Sequence, residues 1–188
     1  MKFVIVILAT ILLGTMSAQA GEASMPQIVK LIDGRAIPFP GHAMHEVVAA
    51  GQLPADISFF ALTVPPKAVG APPHIHADED EIFIVMEGAV TFLNGEESVP
   101  APKGSAAILP RGHWHGLWNP HDEPAQLLLL VAPAKFSDFF DAVVMRVRAE
   151  NPGSPQEVGA IIGQVAAARN VTVDPTRFPP EALALMPR

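Results

Sequence analysis

The chain contains no cysteine, which removes disulfides, thiolate metal ligands, cysteine nucleophiles and a lipid-modified anchor together. Stability, in an oxidising compartment included, has to come from the packed core. Positive charge is scarce as well, since 12 Lys and Arg stand against 19 Asp and Glu for a formal net charge of −7. An acidic chain without a basic patch is a poor candidate for binding nucleic acid or anionic membranes. Long apolar runs are missing except near the start, from Phe3 to Leu13. That run is shorter than the roughly 20 residues a membrane-spanning helix needs. There is no internal repeat and no low-complexity tract.

The opening residues have the order of a secretory signal peptide: Lys2, the apolar run, then small residues closing on Ala18-Gln19-Ala20. Cleavage is expected after Ala20, giving a periplasmic or secreted protein with no stable membrane insertion. A retained anchor is the alternative, and the polar Ser17 and Gln19 argue against it. Residues 1–20 carry only Lys2, so their removal takes the net charge from −7 to −8. The remaining chain reads as an N-terminal arm (21–40), a strand-rich domain (41–133), and a helical segment with a tail (134–188). A segment of this length buries roughly two-thirds of its unfolded surface, enough for one domain.

Within 41–133, Ile57 to Val64, Glu81 to Met86, Ala89 to Leu93, Ala106 to Leu109 and Ala125 to Val131 read as strands, divided by Pro65-Pro66, Gly88, Asn94-Gly95 and Pro110-Arg111-Gly112. Strands this dense, with few helical patterns between them, predict an all-β antiparallel sandwich or barrel. After Pro133 the pattern changes. Ser137 is the expected N-cap of a helix whose stripe is Phe139, Phe140, Val143, Val144 and Val147, stopped by Asn151-Pro152-Gly153. Ser154-Pro155-Gln156-Glu157 then has the form of a capping box, leading into the stripe Val158, Ile161, Ile162, Val165. The proline-rich tail from Asp174 is expected to wrap the surface.

Only 7 histidines are present, yet His74 and His76 stand one residue apart before four consecutive carboxylates. On a strand they share one face and Ile75 takes the other. A second pair at alternate positions, His113 and His115, comes after a proline-glycine turn. Together the pairs read as two halves of one site on neighbouring strands. Imidazole and carboxylate donors suit one divalent transition metal, among Fe, Mn, Co, Ni, Cu and Zn, and four protein ligands on an octahedral ion leave about two positions open.

The spacing resembles the paired motifs of the cupin superfamily. The first, His-x-His, then Glu, then Gly, is met by His74, His76, Glu81 and Gly88. The second, from Gly through Pro-x-Gly and His to Asn, is met by Gly104, Pro110, Gly112, His115 and Asn119. The first motif's leading glycine would fall at Ala68, whereas the chain has Gly70, so the loop before His74 is expected to differ in shape. The resemblance covers roughly 41–133. It implies a double-stranded β-helix, or jelly-roll barrel, with C-terminal helices added, and His74, His76, Glu81 and His115 as the metal ligands. More narrowly, "EDEIF" and "PAKFSDFF" resemble the single-domain cupins grouped with bacterial quercetinase.

Alternation places Phe83 and Val85 on the face of Glu81, as an apolar wall at a substrate pocket that would push the Glu81 carboxyl upward, toward a general base. His113 is read as a rim or substrate-binding residue. Asp78, Glu79 and Asp80 are read as a solvated loop, with Asp80 the alternative ligand should the register slip by one residue. His42, His45 and His121 are read as surface histidines. Trp114 and Trp118 are expected to point away from His115, into core packing or a subunit contact, and Phe139 and Phe140 to pack on the barrel mouth, where their helix is a candidate lid. Pro72 and Pro73 are read as setting the approach to His74.

The enzymatic expectation is a metal-dependent dioxygenase for a small quercetin-like or catechol-like substrate, with Glu81 as the proton acceptor and metal retained in Glu81→Gln. The alternative is a non-catalytic module that binds a small molecule or metal. Exposed strand edges and apolar helices lead to the expectation of a homodimer.

Overall fold

The computed structural model describes residues 25–186. The signal peptide and its cleavage after Ala20 lie outside the described residues. Eleven strands form: β1 (Arg35–Ile37), β2 (Ala43–Val48), β3 (Ser58–Val64), β4 (Ala68–His76), β5 (Asp80–Glu87), β6 (Ala89–Asn94), β7 (Glu97–Pro102), β8 (Ala106–Leu109), β9 (His115–Asn119), β10 (Ala125–Ala132) and β11 (Val171–Val173). Helices α1 (Asp138–Glu150), α2 (Pro155–Ala167) and the short α3 (Pro180–Leu183) come after the barrel. Among the described residues no helix is long and apolar enough to cross a membrane.

The strands pair antiparallel into a six-stranded sheet, β1-β2-β3-β10-β5-β8, and a five-stranded sheet, β11-β4-β9-β6-β7. Strict alternation turns Phe60, Leu62 and Val64 of β3, Phe83 and Val85 of β5, and Leu127, Leu129 and Val131 of β10 inward, each at most 6% exposed. Burying one such side chain contributes roughly 1.5–3 kcal/mol, so this inner face holds the sandwich closed. The five strands expected from sequence all form, each end within one residue of expectation.

β7 escapes the sequence pattern because it is a polar edge strand carrying Pro100 and Pro102, a position where a missing N–H costs little. β4 escapes it because Gly70, Pro72 and Pro73 interrupt its run, and its pairing with β9 shifts register between Val69 and Ala71 and again between Ala71 and His74. Gly70 has little room for a side chain, since a Cβ there would run into the Leu117 side chain.

Helix α1 buries Phe139, Phe140, Val143 and Val144, with Val147 partly buried, as its stripe predicts. The Phe140 ring lies 4.9 Å from that of Phe60, so the helix closes one mouth of the barrel. Ser137 holds the N-cap position, as expected, but its side chain makes no capping bond. A 3₁₀ turn, Ala134–Ser137, leads straight into α1, leaving Ser137 in helical conformation with no capping bond. Ser154 does cap α2, accepting from the Glu157 amide at 3.2 Å, while the Glu157 carboxylate reaches back to the amide of Gly153 at 2.6 Å.

The tail covers the outer face of the five-stranded sheet. Phe178 and Ala182 pack with Leu93 and Trp118, which is 1% exposed, and the Arg177 guanidinium sits 4.5 Å above the Trp114 ring. Both tryptophans thus face away from His115 and serve intramolecular packing. His42 and His45 are half-buried rather than on the surface: His42 lies 5.2 Å from the Phe39 ring, and His45 Nδ1 is 3.2 Å from the Gly34 carbonyl. His121 is exposed.

Candidate metal centre

The four expected ligands meet between the sheets. His74 and His76 end β4, His115 begins β9 directly opposite His74, and all three belong to the five-stranded sheet. Glu81 reaches them from β5 in the six-stranded sheet. Their ligand atoms all lie within 4.8 Å of one another. His76, Glu81 and His115 are 1%, 4% and 2% exposed, while the His74 side chain at 13% is the point nearest solvent.

Each imidazole is oriented from behind through Nδ1. His74 Nδ1 lies 2.7 Å from the Pro72 carbonyl, His115 Nδ1 lies 2.9 Å from the His113 carbonyl, and His76 Nδ1 lies 3.0 Å from the Glu79 carboxylate. These partners only accept, so each Nδ1 carries the hydrogen and each neutral ring keeps its lone pair on Nε2. The three Nε2 atoms then face the Glu81 carboxylate at 3.9, 3.7 and 3.2 Å for His74, His76 and His115. Buried lone pairs pointed at a carboxylate repel unless a cation or additional protons lie between them, and His76 Nε2 has no hydrogen-bond partner at all. With metal–ligand bonds of about 2.0–2.2 Å, neighbouring donors in an octahedral shell are about 3 Å apart and opposite ones about 4.2 Å. The donor set and its spacing fit a single metal ion.

Burial pushes the Glu81 carboxyl upward, but when the facing imidazoles carry protons, a hydrogen bond from His115 and the charges of His76, His115 and His74 outweigh burial and hold it at about 2. This reverses the expectation of a raised, base-like carboxyl: three imidazoles surround one carboxylate, and their combined pull exceeds the desolvation cost. His74 is pushed down to about 3, by burial first and by His115 and His76, against the pull of Glu81. A neutral imidazole and an ionised carboxylate are the protonation states that metal binding requires.

Phe83 and Val85 lie buried on the Glu81 face of β5. His113 sits in the turn before β9 with its side chain exposed, so its part in the site comes through the backbone carbonyl that orients His115. Asp80 is drawn away from the cluster, because Arg111 grips it with Nε at 3.1 Å and Nη2 at 2.6 Å and holds its carboxyl down at about 2.

Two contributors to the site were not legible in the sequence. Glu79, read as solvated loop, is 2% exposed and orients His76. Its signal was a carboxylate three residues after a histidine, hidden inside an acidic run. Phe136, whose ring stands 4.7 Å from that of His76 and stacks on Phe139, belongs to the 3₁₀ turn and so falls outside the α1 stripe.

Residues 60–131 match the family model described as Cupin domain. The chain carries a cupin domain. Its matched segment runs from β3 to β10 and includes every candidate ligand. Cupin structures share this fold: a Cupin 2 conserved barrel domain protein from Salinispora arenicola is 20% identical over 62% of this chain and 98% of its own, at a TM-score of 0.50. A protein described as a predicted oxalate decarboxylase, from Thermotoga maritima, is 18% identical over 56% of this chain and 97% of its own, also at 0.50. A cupin-superfamily sugar phosphate isomerase from Silicibacter pomeroyi is 27% identical over 48% of this chain, at 0.45, and the match spans only 59% of that protein. Among curated proteins none matches the chain.

Proposed function

We propose that this cupin is an exported, metal-dependent dioxygenase that holds one divalent transition metal and acts on a small oxygenated ring compound of the flavonol or catechol kind. The observation that carries the reading is the convergence of three Nε2 lone pairs, each fixed by an acceptor at Nδ1, on one ionised carboxylate. When bound, the metal supplies Lewis acidity and electron transfer at the coordination positions these residues leave free. Glu81, held ionised, balances the positive charge and offers an acceptor to a substrate hydroxyl. Phe136 and the inner faces of β5 and β10 keep water from the cluster, leaving the His74 side as the approach.

Oxygen uptake by the metal-loaded protein, measured with a flavonol and with a catechol, tests this reading. At saturating metal, Glu81→Gln should stay loaded through its imidazoles and lose uptake. No uptake with either substrate class would end the dioxygenase reading. Export rests on the charge, apolar core and small-residue tract of residues 1–20, and N-terminal sequencing of the mature protein should begin at Gly21.

The alternative of a non-catalytic binding module draws on a different observation. His76, Glu81 and His115 are almost fully enclosed, and Phe136 stands against His76. A closed site of that kind would bind metal without turnover, and intact metal content with no oxygen uptake is its signature.

A further inference from the structure

Three buried side-chain polar atoms have no hydrogen-bond partner among the described residues: His76 Nε2, Trp118 Nε1 and Ser58 Oγ. The first belongs to the metal cluster, and the second lies beneath the tail on the outside of the five-stranded sheet. Ser58 is different. It is 0% exposed, and the alternation that turns Phe60, Leu62 and Val64 inward turns Ser58 inward with them, at the end of β3 where the apolar series stops. A buried hydroxyl without a partner is costly, and native interiors keep few of them.

Register fixes what stands beside Ser58. In β10, Val131 pairs with Ser58 on one side and with Glu81 on the other, and Glu81 pairs with Leu109 of β8. One inward row therefore reads Ser58, Val131, Glu81, Leu109: a hydroxyl and a candidate ligand carboxylate are its polar members, and the other two are buried apolar side chains. At about 4.8 Å per strand step, Ser58 stands roughly 10 Å from Glu81. Allowing a hydrogen bond of about 2.8 Å at each end leaves the width of a single oxygen-bearing aromatic ring. The 3₁₀ turn Ala134–Ser137 bounds the same interval. Its Ala134 amide donates to the Asp56 carbonyl at 3.1 Å, just before β3, and its Phe136 ring stands against His76.

We propose that Ser58 determines substrate specificity: a ring compound whose hydroxyl meets Glu81 is held at its opposite end by a hydrogen bond from the Ser58 hydroxyl to an oxygen of the ligand, with Phe136 alongside the ring. The inference rests on the ring-compound reading given above and narrows it to rings that carry an oxygen acceptor opposite the pair of oxygens presented to the metal. A ring lacking that acceptor leaves the buried hydroxyl unpaired, which is how a polar group in an apolar site discriminates between ligands.

Binding rather than turnover tests the proposal. Protein loaded with zinc, which has no redox chemistry of its own, is titrated calorimetrically with catechol and with 4-nitrocatechol, whose nitro oxygens supply the distal acceptor. Ser58→Ala should lower the preference for 4-nitrocatechol over catechol by about tenfold and leave the affinity for catechol unchanged. In the metal-free protein the same variant should unfold at an equal or higher urea concentration, because it deletes a hydroxyl that has no partner. A preference unchanged in Ser58→Ala, with both probes binding, would overturn the proposal and leave the ring-compound reading standing. If neither probe bound the zinc-loaded protein, that reading would fail and the proposal with it. A lower urea midpoint in Ser58→Ala would show the hydroxyl already bonded within the folded protein, and would also overturn the proposal.

Discussion

At the residue scale the centre depends on what stands behind the ligands as much as on the ligands themselves. His74 and His115 are oriented by backbone carbonyls, which no substitution removes, whereas His76 is oriented by a side chain, Glu79. That makes Glu79 the one backing group open to mutation. Glu79→Ala leaves a buried Nδ1–H without an acceptor and frees the ring to rotate, so metal affinity should fall about 10–100-fold, as for other partners of metal-bound histidines. Glu79→Gln keeps a carbonyl oxygen in place and should retain most of the affinity. Competition against a chromogenic chelator measures both, and an unchanged affinity in folded Glu79→Ala would remove Glu79 from the site. The convergence of the four candidate ligands was legible because strand alternation and motif spacing depend on local sequence alone. Glu79 was not, because a turn rather than a strand brings it behind His76, and turns leave no periodic trace.

Elements were legible where one face is core and the other is not. β3 and β10 alternate without a break, and their limits are set by composition. β7, β4 and β11 are specified by pairing partners distant in sequence: β11 exists only because β4 lies beside it, Val171 opposite His76 and Val173 opposite His74. Motif positions outside the metal cluster have a structural role of the same kind. Gly88 joins β5 to β6 at a φ of 74°, and a Cβ there would stand 2.7 Å from the Pro124 carbonyl oxygen. Gly88→Ala therefore incurs left-handed strain and a backbone clash together, and should lower stability by about 2–4 kcal/mol in urea unfolding. Asn119, fully buried, donates to the carbonyls of Val64 and Glu123 and accepts from the His121 amide, tying β3 to the turn between β9 and β10. Asn119→Ala should cost about 2–3 kcal/mol, measured the same way, through unpaired backbone groups. In both variants the folded fraction should still bind metal, since neither residue touches the cluster; loss of metal from protein that remains folded would show that these turns set ligand geometry directly.

At the scale of the whole molecule, the buried titratable groups tie stability to pH and to metal in a single direction. Burial holds His42 at about 4, and burial with neighbouring imidazoles holds His74 at about 3, both below the ordinary value near 6.5. Between pH 6.5 and about 4 the unfolded chain therefore binds protons that the folded chain refuses, and stability falls as pH falls through that window. Each histidine contributes at most about 1.4 kcal/mol per pH unit, less where solvent reaches the ring. Glu81, held at about 2, adds to the loss below its ordinary 4.5. A metal ion bound to the neutral imidazoles and the ionised carboxylate stabilises only the folded state, by an amount that grows with ligand concentration. With His74 held at about 3 and Glu81 at about 2, those two groups stay in their metal-binding forms down to pH 4.5. Thermal unfolding with chelator should show a melting temperature that declines steadily from pH 7 to pH 4.5. With saturating metal the curve should lie higher across that whole range. A metal-induced rise that vanishes by pH 4.5 would show that acid reaches these ligands well above those values.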